Sequence, residues 1–150
     1  MIISQTSRYA LNALVFLFQR GQGRPVKVKE VSENLNIPQN YLSKIFHVLT
    51  RNGVLKSFPG KSGGFQLTVS PDRLLLSKII EPFESSEFPV TCILGQSVCS
   101  DENPCSAHNK WKAISALVGS FFEMTTLQEL LERENKQDGC AAVTTLTEKH

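Results

Sequence analysis

Residues 27–69 place the tightest constraint on what this chain can fold into. Two sets of apolar residues at helical spacing, Val28, Val31 and Leu35, then Leu42, Ile45, Phe46 and Leu49, are separated by only Asn36, Ile37 and Pro38. Apolar side chains three and four apart line one side of a helix. Proline suits the first helical turn, where its missing N–H costs nothing. The spacing predicts a helix over 27–35, a tight turn, and a third helix over 38–51 or 38–52 capped by Gly53. Two helices joined so closely form a helix-turn-helix. The strand-forming runs 54–58 and 65–69 then flank PGKSGG, a sequence fit only for a loop. A helix-turn-helix followed at once by a glycine-rich hairpin predicts a winged helix.

The flanking segments extend this unit. A first helix is expected over 6–19, rich in Tyr9, Leu11, Ala13, Leu14, Phe16, Leu17 and Phe18. Ser70, Pro71 and Asp72 begin a fourth helix over 73–80 that ends near Pro82. From His108 to Phe122 a long helix carries Trp111, Ile114, Leu117, Val118, Phe121 and Phe122, and Thr125 or Thr126 caps the short helix LQELLER. The expected fold is mainly α with one small β-hairpin: a winged helix-turn-helix domain (1–81), a loop (82–107), a dimerisation helix and short terminal helix (108–134), and a flexible tail (135–150). The long helix has more large apolar side chains than so short a chain covers. Some should pack on the first helix, and the surplus, with Trp111, Phe121 and Phe122 as candidates, points to a second copy and a twofold homodimer.

Composition narrows location and partner. No apolar run approaches the roughly 18 residues that span a bilayer, so no membrane role is expected. The N-terminus lacks a basic leader and a small-residue cleavage site, and Arg8 and Asn12 interrupt its apolar stretch. It reads as a helix rather than a signal peptide, which places the chain in the cytoplasm with its thiols reduced. The net charge of +2 conceals an asymmetry: residues 1–80 hold 11 Lys/Arg against 3 acids, and residues 81–150 hold 5 against 11. A basic half joined to an acidic half implies that one end meets a polyanion, although a dipolar solvated surface has the same composition.

With its apolar side turned inward, the third helix presents Gln39, Asn40, Ser43, Lys44 and His47. Asn and Gln pair bidentately with adenine, and Ser and His address several base edges. In the wing, Lys56, Lys61 and the Gly60, Gly63 and Gly64 backbone suit phosphates or the minor groove. These residues predict an interface for double-stranded DNA. A helix bundle with the same residues merely solvated is the plain alternative. A winged helix that docks a protein is another, and steep salt dependence of binding separates the two partners.

One further feature stands apart. Cys92, Cys99, Cys105 and His108 fall within seventeen residues of TCILGQSVCSDENPCSAHNKW. Four soft ligands on one loop suit an iron–sulfur cluster or zinc. Structural zinc commonly uses cysteines two to four residues apart, and this loop has no such pair. Cysteines that bind nothing are a further alternative. Cys140 reads as a bystander thiol, His47 as a DNA or solvent residue, and His150 is terminal. No arrangement supports an enzyme: GKSGG lies between two strands, not between a strand and a helix as phosphate loops do.

In this order, TSRYALNAL, IPQNYLSKIFHVLTRNGVL, GKSGGFQL, CSAHNKW and TTLQELL resemble the IscR/NsrR/RirA family of winged-helix regulators that carry iron–sulfur clusters. The resemblance spans residues 1 to about 133 and is nearest to the IscR-like type. It implies a dimer whose cluster lies near the subunit interface and tunes DNA affinity. It also implies a 2Fe–2S cluster on Cys92, Cys99, Cys105 and His108. RirA-like members share the wide gap between the first two cysteines and hold a 4Fe–4S cluster, so that type stays open. NsrR-like members can draw a ligand from an Asp near the start of the partner chain, where this chain has Arg8.

Overall fold

The computed structural model of the chain describes residues 2–86, 88, 92, 94 and 101–134. The expected tail, 135–150, lies outside the described residues. Among those described, six α-helices and one antiparallel hairpin make up the fold.

Helix α1 (Gln5–Gly21) starts where extended Ser4 accepts a hydrogen bond from the Ser7 N–H, satisfying a donor that a helix start leaves open. Ala10, Ala13, Leu14 and Leu17 form its buried stripe. Helix α2 (Val28–Leu35) ends on Asn36 at a left-handed φ of 53°, which Asn tolerates better than most residues. Pro38 precedes α3 (Gln39–Arg51) as its cap, one residue outside the helix expected to contain it. Leu42, Ile45, Phe46 and Leu49 are the buried side of α3, as their spacing predicts.

The wing pairs β1 (Leu55–Phe58) with β2 (Gly64–Leu67), from Leu55 opposite Leu67 to Phe58 opposite Gly64. Val26, just before α2, adds a third partner. The Val26 and Phe65 N–H groups each donate to the other's carbonyl, at 2.9 and 2.8 Å. The Phe65 ring meets Phe46 of α3 edge to face, centroids 5.0 Å apart. Wing, α3 and the segment entering α2 therefore share one joint.

The fourth helix departs from expectation. Residues Pro71–Arg73 form a 3-10 turn, the chain then extends, and α4 is confined to Leu76–Ile80. The cause lies elsewhere in the chain: Leu75 bridges Thr126, the Leu76 N–H donates to the Thr125 carbonyl at 2.9 Å, and the Leu127 N–H donates to the Leu74 carbonyl at 2.8 Å. Backbone groups that a longer helix would satisfy internally are instead exchanged with the chain before α6 (Leu127–Glu134). The Glu129 carboxylate accepts from the Thr126 N–H at 2.8 Å, one arm of a capping box.

Helix α5 (His108–Met124) packs on α4 rather than principally on α1. Phe122 is not surplus: it is buried in the core of its own chain, with Phe88 edge-on at 5.6 Å. Ile114, Leu117, Phe121 and Met124 remain 49–78% exposed. Among the described residues no helix is long and apolar enough to cross a membrane.

Gly64 is the test of the wing joint. Its φ is +145°, and an added Cβ would lie 2.4 Å from the Val26 carbonyl oxygen. Gly64→Ala should cost roughly 2–4 kcal/mol through strain and loss of the Val26–Phe65 pairing. Urea unfolding would measure this, and a midpoint equal to wild type would refute the joint.

Candidate nucleic-acid interface and cysteine loop

Burying one side of α3 leaves Asn40, Lys44, His47 and Arg51 in a row at i, i+4, i+7 and i+11, all exposed. Gln39 is exposed beside them. Ser43 is half-buried, and its hydroxyl donates to the Gln39 carbonyl at 2.8 Å, which leaves its lone pairs to accept. Arg51 was missed in the sequence because it falls at the expected helix end. Its place one turn beyond His47 was the available signal. The His47 ring stands perpendicular to Phe65 at 6.5 Å, so the wing borders this row.

On the wing, Lys56 holds its ammonium 5.3 Å from the centre of the Phe58 ring, a cation–π contact, while Lys61 is exposed at the tip. Among the described residues no carboxylate pairs with Lys44, Arg51, Lys56 or Lys61. Gly63 differs from the expected phosphate contact. It is buried, its N–H donates to the Gly60 carbonyl at 3.1 Å, and an added Cβ would lie 2.1 Å from the Phe58 carbonyl oxygen. Gly63 shapes the wing turn, and its donor is already used.

In the loop, Cys92 is buried and Cys105 half-buried, and both are thiols outside any disulfide. Cys99 and Cys140 lie outside the described residues. His108, the first residue of α5, is buried at 4% exposure, and its N–H donates to the Cys105 carbonyl at 3.0 Å. Its Nε2 lies 2.8 Å from an Asp101 carboxylate oxygen. Lys112, one turn into α5, donates to both oxygens of that carboxylate at 2.9 and 2.8 Å. In the sequence Asp101 carries no signal of its own, because sulfur and imidazole are the loop's soft donors.

A carboxylate on one ring nitrogen is how metal-binding histidines are commonly oriented. Thiols with an imidazole so held fit an iron–sulfur cluster in donor type. Among the described residues no three His, Cys, Asp or Glu side chains are gathered into a metal cage.

A winged helix carrying a basic, unpaired surface defines a class, the helix-turn-helix transcriptional regulators. The family model described as "Iron-dependent Transcriptional regulator" matches residues 3–133, and the chain belongs to this family, Rrf2. It is a family of regulators, not enzymes, whose members bind DNA and are typically dimeric. The chain is similar to a protein of Aquifex aeolicus (strain VF5) classed with the HTH-type transcriptional regulators, at 38% identity over 91% of this chain and 95% of that one. It is 30% identical to the HTH-type transcriptional regulator IscR of Yersinia pseudotuberculosis over 92% of this chain and 82% of the other. Among solved structures it resembles CymR, the global cysteine regulator of B. subtilis, with TM-score 0.74 and 27% identity over 89% and 98% of the two chains.

The Asp101 contacts give a pH signature. Hydrogen bonds from Lys112 first, then His108, hold the Asp101 carboxyl below the ordinary carboxylate range. A depressed folded value means that its contribution to stability is present above the unfolded value and is lost as pH falls through the folded one. Lys112→Met should raise the Asp101 midpoint toward the ordinary range in a carboxyl-carbon NMR titration. An unmoved midpoint would mean that Lys112 does not hold the carboxylate in solution.

Proposed function

We propose that this chain is a dimeric, cytoplasmic DNA-binding regulator whose hold on its operator is set by an iron–sulfur cluster on the cysteine loop. The observation that carries the DNA reading is the α3–wing surface, where Lys44, Arg51, Lys56 and Lys61 have no carboxylate partner. In this reading Gln39, Asn40, Ser43, Lys44 and His47 address bases, and Lys56 and Lys61 meet phosphate. The division into a DNA-binding domain (1–81), loop (82–107) and dimerisation helices (108–134) belongs to the same proposal. Ile114, Leu117, Phe121 and Met124 would meet the partner subunit, and with Ile2 and Ile3 several of them border an apolar groove of about 440 Å³. A second copy would present two recognition helices to a two-fold operator.

The cluster would be held by Cys92, Cys99, Cys105 and His108, with 2Fe–2S favoured over 4Fe–4S. When bound, it supplies a redox- and iron-sensitive group whose loss signals oxidation or scarcity. Asp101 and Lys112 hold the His108 ring in place at the start of α5. A second reading is a regulator that responds to its signal without a cluster. The likeness to CymR favours it, since that regulator is described by cysteine rather than iron.

Anaerobic purification should yield a coloured protein with iron and acid-labile sulfide, and Cys92→Ala, Cys99→Ala or Cys105→Ala should abolish the colour. His108→Cys should keep a cluster with a shifted absorption spectrum. Stoichiometric zinc without sulfide would sink the cluster reading. For DNA, Asn40→Ala should change base preference at a cost of roughly 1–3 kcal/mol. Lys61→Gln should weaken all sequences alike and reduce the salt slope by about one. Salt-independent binding by the wild-type protein would exclude a phosphate-based interface.

A further inference from the structure

The Glu84 carboxylate reaches back 80 residues to the start of the chain. It accepts the Ser4 N–H at 2.8 Å and the Ser7 hydroxyl, at a side chain with no exposed surface. Hydrogen bonds to a carboxylate are stronger than neutral ones, and a buried hydroxyl that loses its acceptor pays a desolvation cost. Glu84 thus grips the first turn of α1. It sits at the exit of the 3-10 turn Glu81–Phe83, eight residues before Cys92 in the sequence. Four residues on, Phe88 packs on Phe122 of α5.

The same turn of α1 grips α3. The Thr6 hydroxyl is hydrogen-bonded to the Tyr41 hydroxyl, and Tyr9 sets its ring edge-on to Tyr41 with centroids 5.9 Å apart. Tyr41 belongs to the first turn of α3, next to Asn40. One helical turn, Ser4 to Ser7, is therefore held by Glu84 on one side and holds the start of α3 on the other.

We propose that Glu84 is a positioning residue through which the chain that follows α4 sets the pose of α3, by way of the first turn of α1. This rests on the reading of α3 as the recognition helix and of the cysteine loop as the regulated element. Moving or loosening the loop drags Glu84, frees Ser7, and releases Tyr41 where base contacts begin. Contiguity alone does not establish coupling, whereas non-additive responses at the two ends do.

Hydrogen exchange on the full-length protein tests this without DNA or cluster. Glu84→Ala should speed exchange of the amides of residues 42–44 roughly tenfold, and Tyr41→Phe should act similarly. The double variant should exchange no faster than the faster single one. Glu129→Ala, which removes the α6 cap, should leave those amides at the wild-type rate. Wild-type rates in Glu84→Ala, equal acceleration in Glu129→Ala, or multiplied effects in the double variant would overturn the proposal. Should Glu84→Ala not fold, Glu84→Gln, which keeps one acceptor oxygen without the charge, should show a smaller change in the same direction; no change would overturn it equally.

A second measurement takes a duplex selected by this protein from a random library and compares affinities of the reconstituted and metal-free forms. The ratio of the two should fall toward one in Glu84→Ala and stay at the wild-type value in Glu129→Ala. An unchanged ratio in Glu84→Ala would overturn the coupling. A ratio of one in the wild-type protein would instead overturn cluster gating, while exchange at residues 42–44 still judges the grip of Glu84 on α3.

Discussion

The paired backbone hydrogen bonds between Val26 and Phe65 are the contact on which the winged-helix half depends. They fix β2 to the segment entering α2, and the Phe65 ring carries that position to Phe46 and His47 on α3. They add a third segment to a two-stranded hairpin, an element that is marginal in water on its own. Gly64 permits the pairing, because the adjoining Val26 backbone occupies the space a Cβ would need. The wing is therefore set against α3 by backbone geometry, and its lysines inherit that placement.

A second backbone exchange ties the halves of the chain together. Leu74 to Leu76 trade hydrogen bonds with Thr125 to Leu127, which anchors the chain after α5 beside the chain after the wing. Leu76 and Leu127 are buried at the same place, with 1% and 0% of their surfaces exposed. The ends of the 76–127 stretch meet at this point, and α4 within it is buried against the core. Motion within that stretch can reach the winged helix through contacts along its length. Glu84 to α1 is a long-range polar contact of that kind.

The winged helix was legible because its signals are local. Helical spacing placed the buried sides of α2 and α3, and PGKSGG could only turn. What the sequence concealed depends on residues far apart in the chain. The shortened α4 reflects hydrogen bonds to residues fifty positions on, and the burial of Phe122 reflects Phe88. Gly63 carried the right residue type for a phosphate approach, yet its N–H closes its own turn. In the loop, residue type singled out His108, whereas the roles of Asp101 and of Lys112 on α5 emerged only once the fold set Asp101 against the first turn of α5.

The position of His108 carries the argument from loop to dimer. It is both a candidate ligand and the first residue of α5, and α5 bears the exposed Ile114, Leu117, Phe121 and Met124. An α-helix is stiff over 17 residues, so a shift at its first turn is transmitted along its length. In a two-fold dimer built on α5, such a shift changes the tilt of one subunit on the other. Two recognition helices must match half-sites roughly 34–36 Å apart, one turn of DNA, and a small rotation at a central axis becomes a larger displacement at that radius. In the proposed dimer, a ligand at the head of α5 and a carboxylate on the first turn of α1 would act on separate variables, His108 on the separation of the two recognition helices and Glu84 on how each is seated in its own subunit.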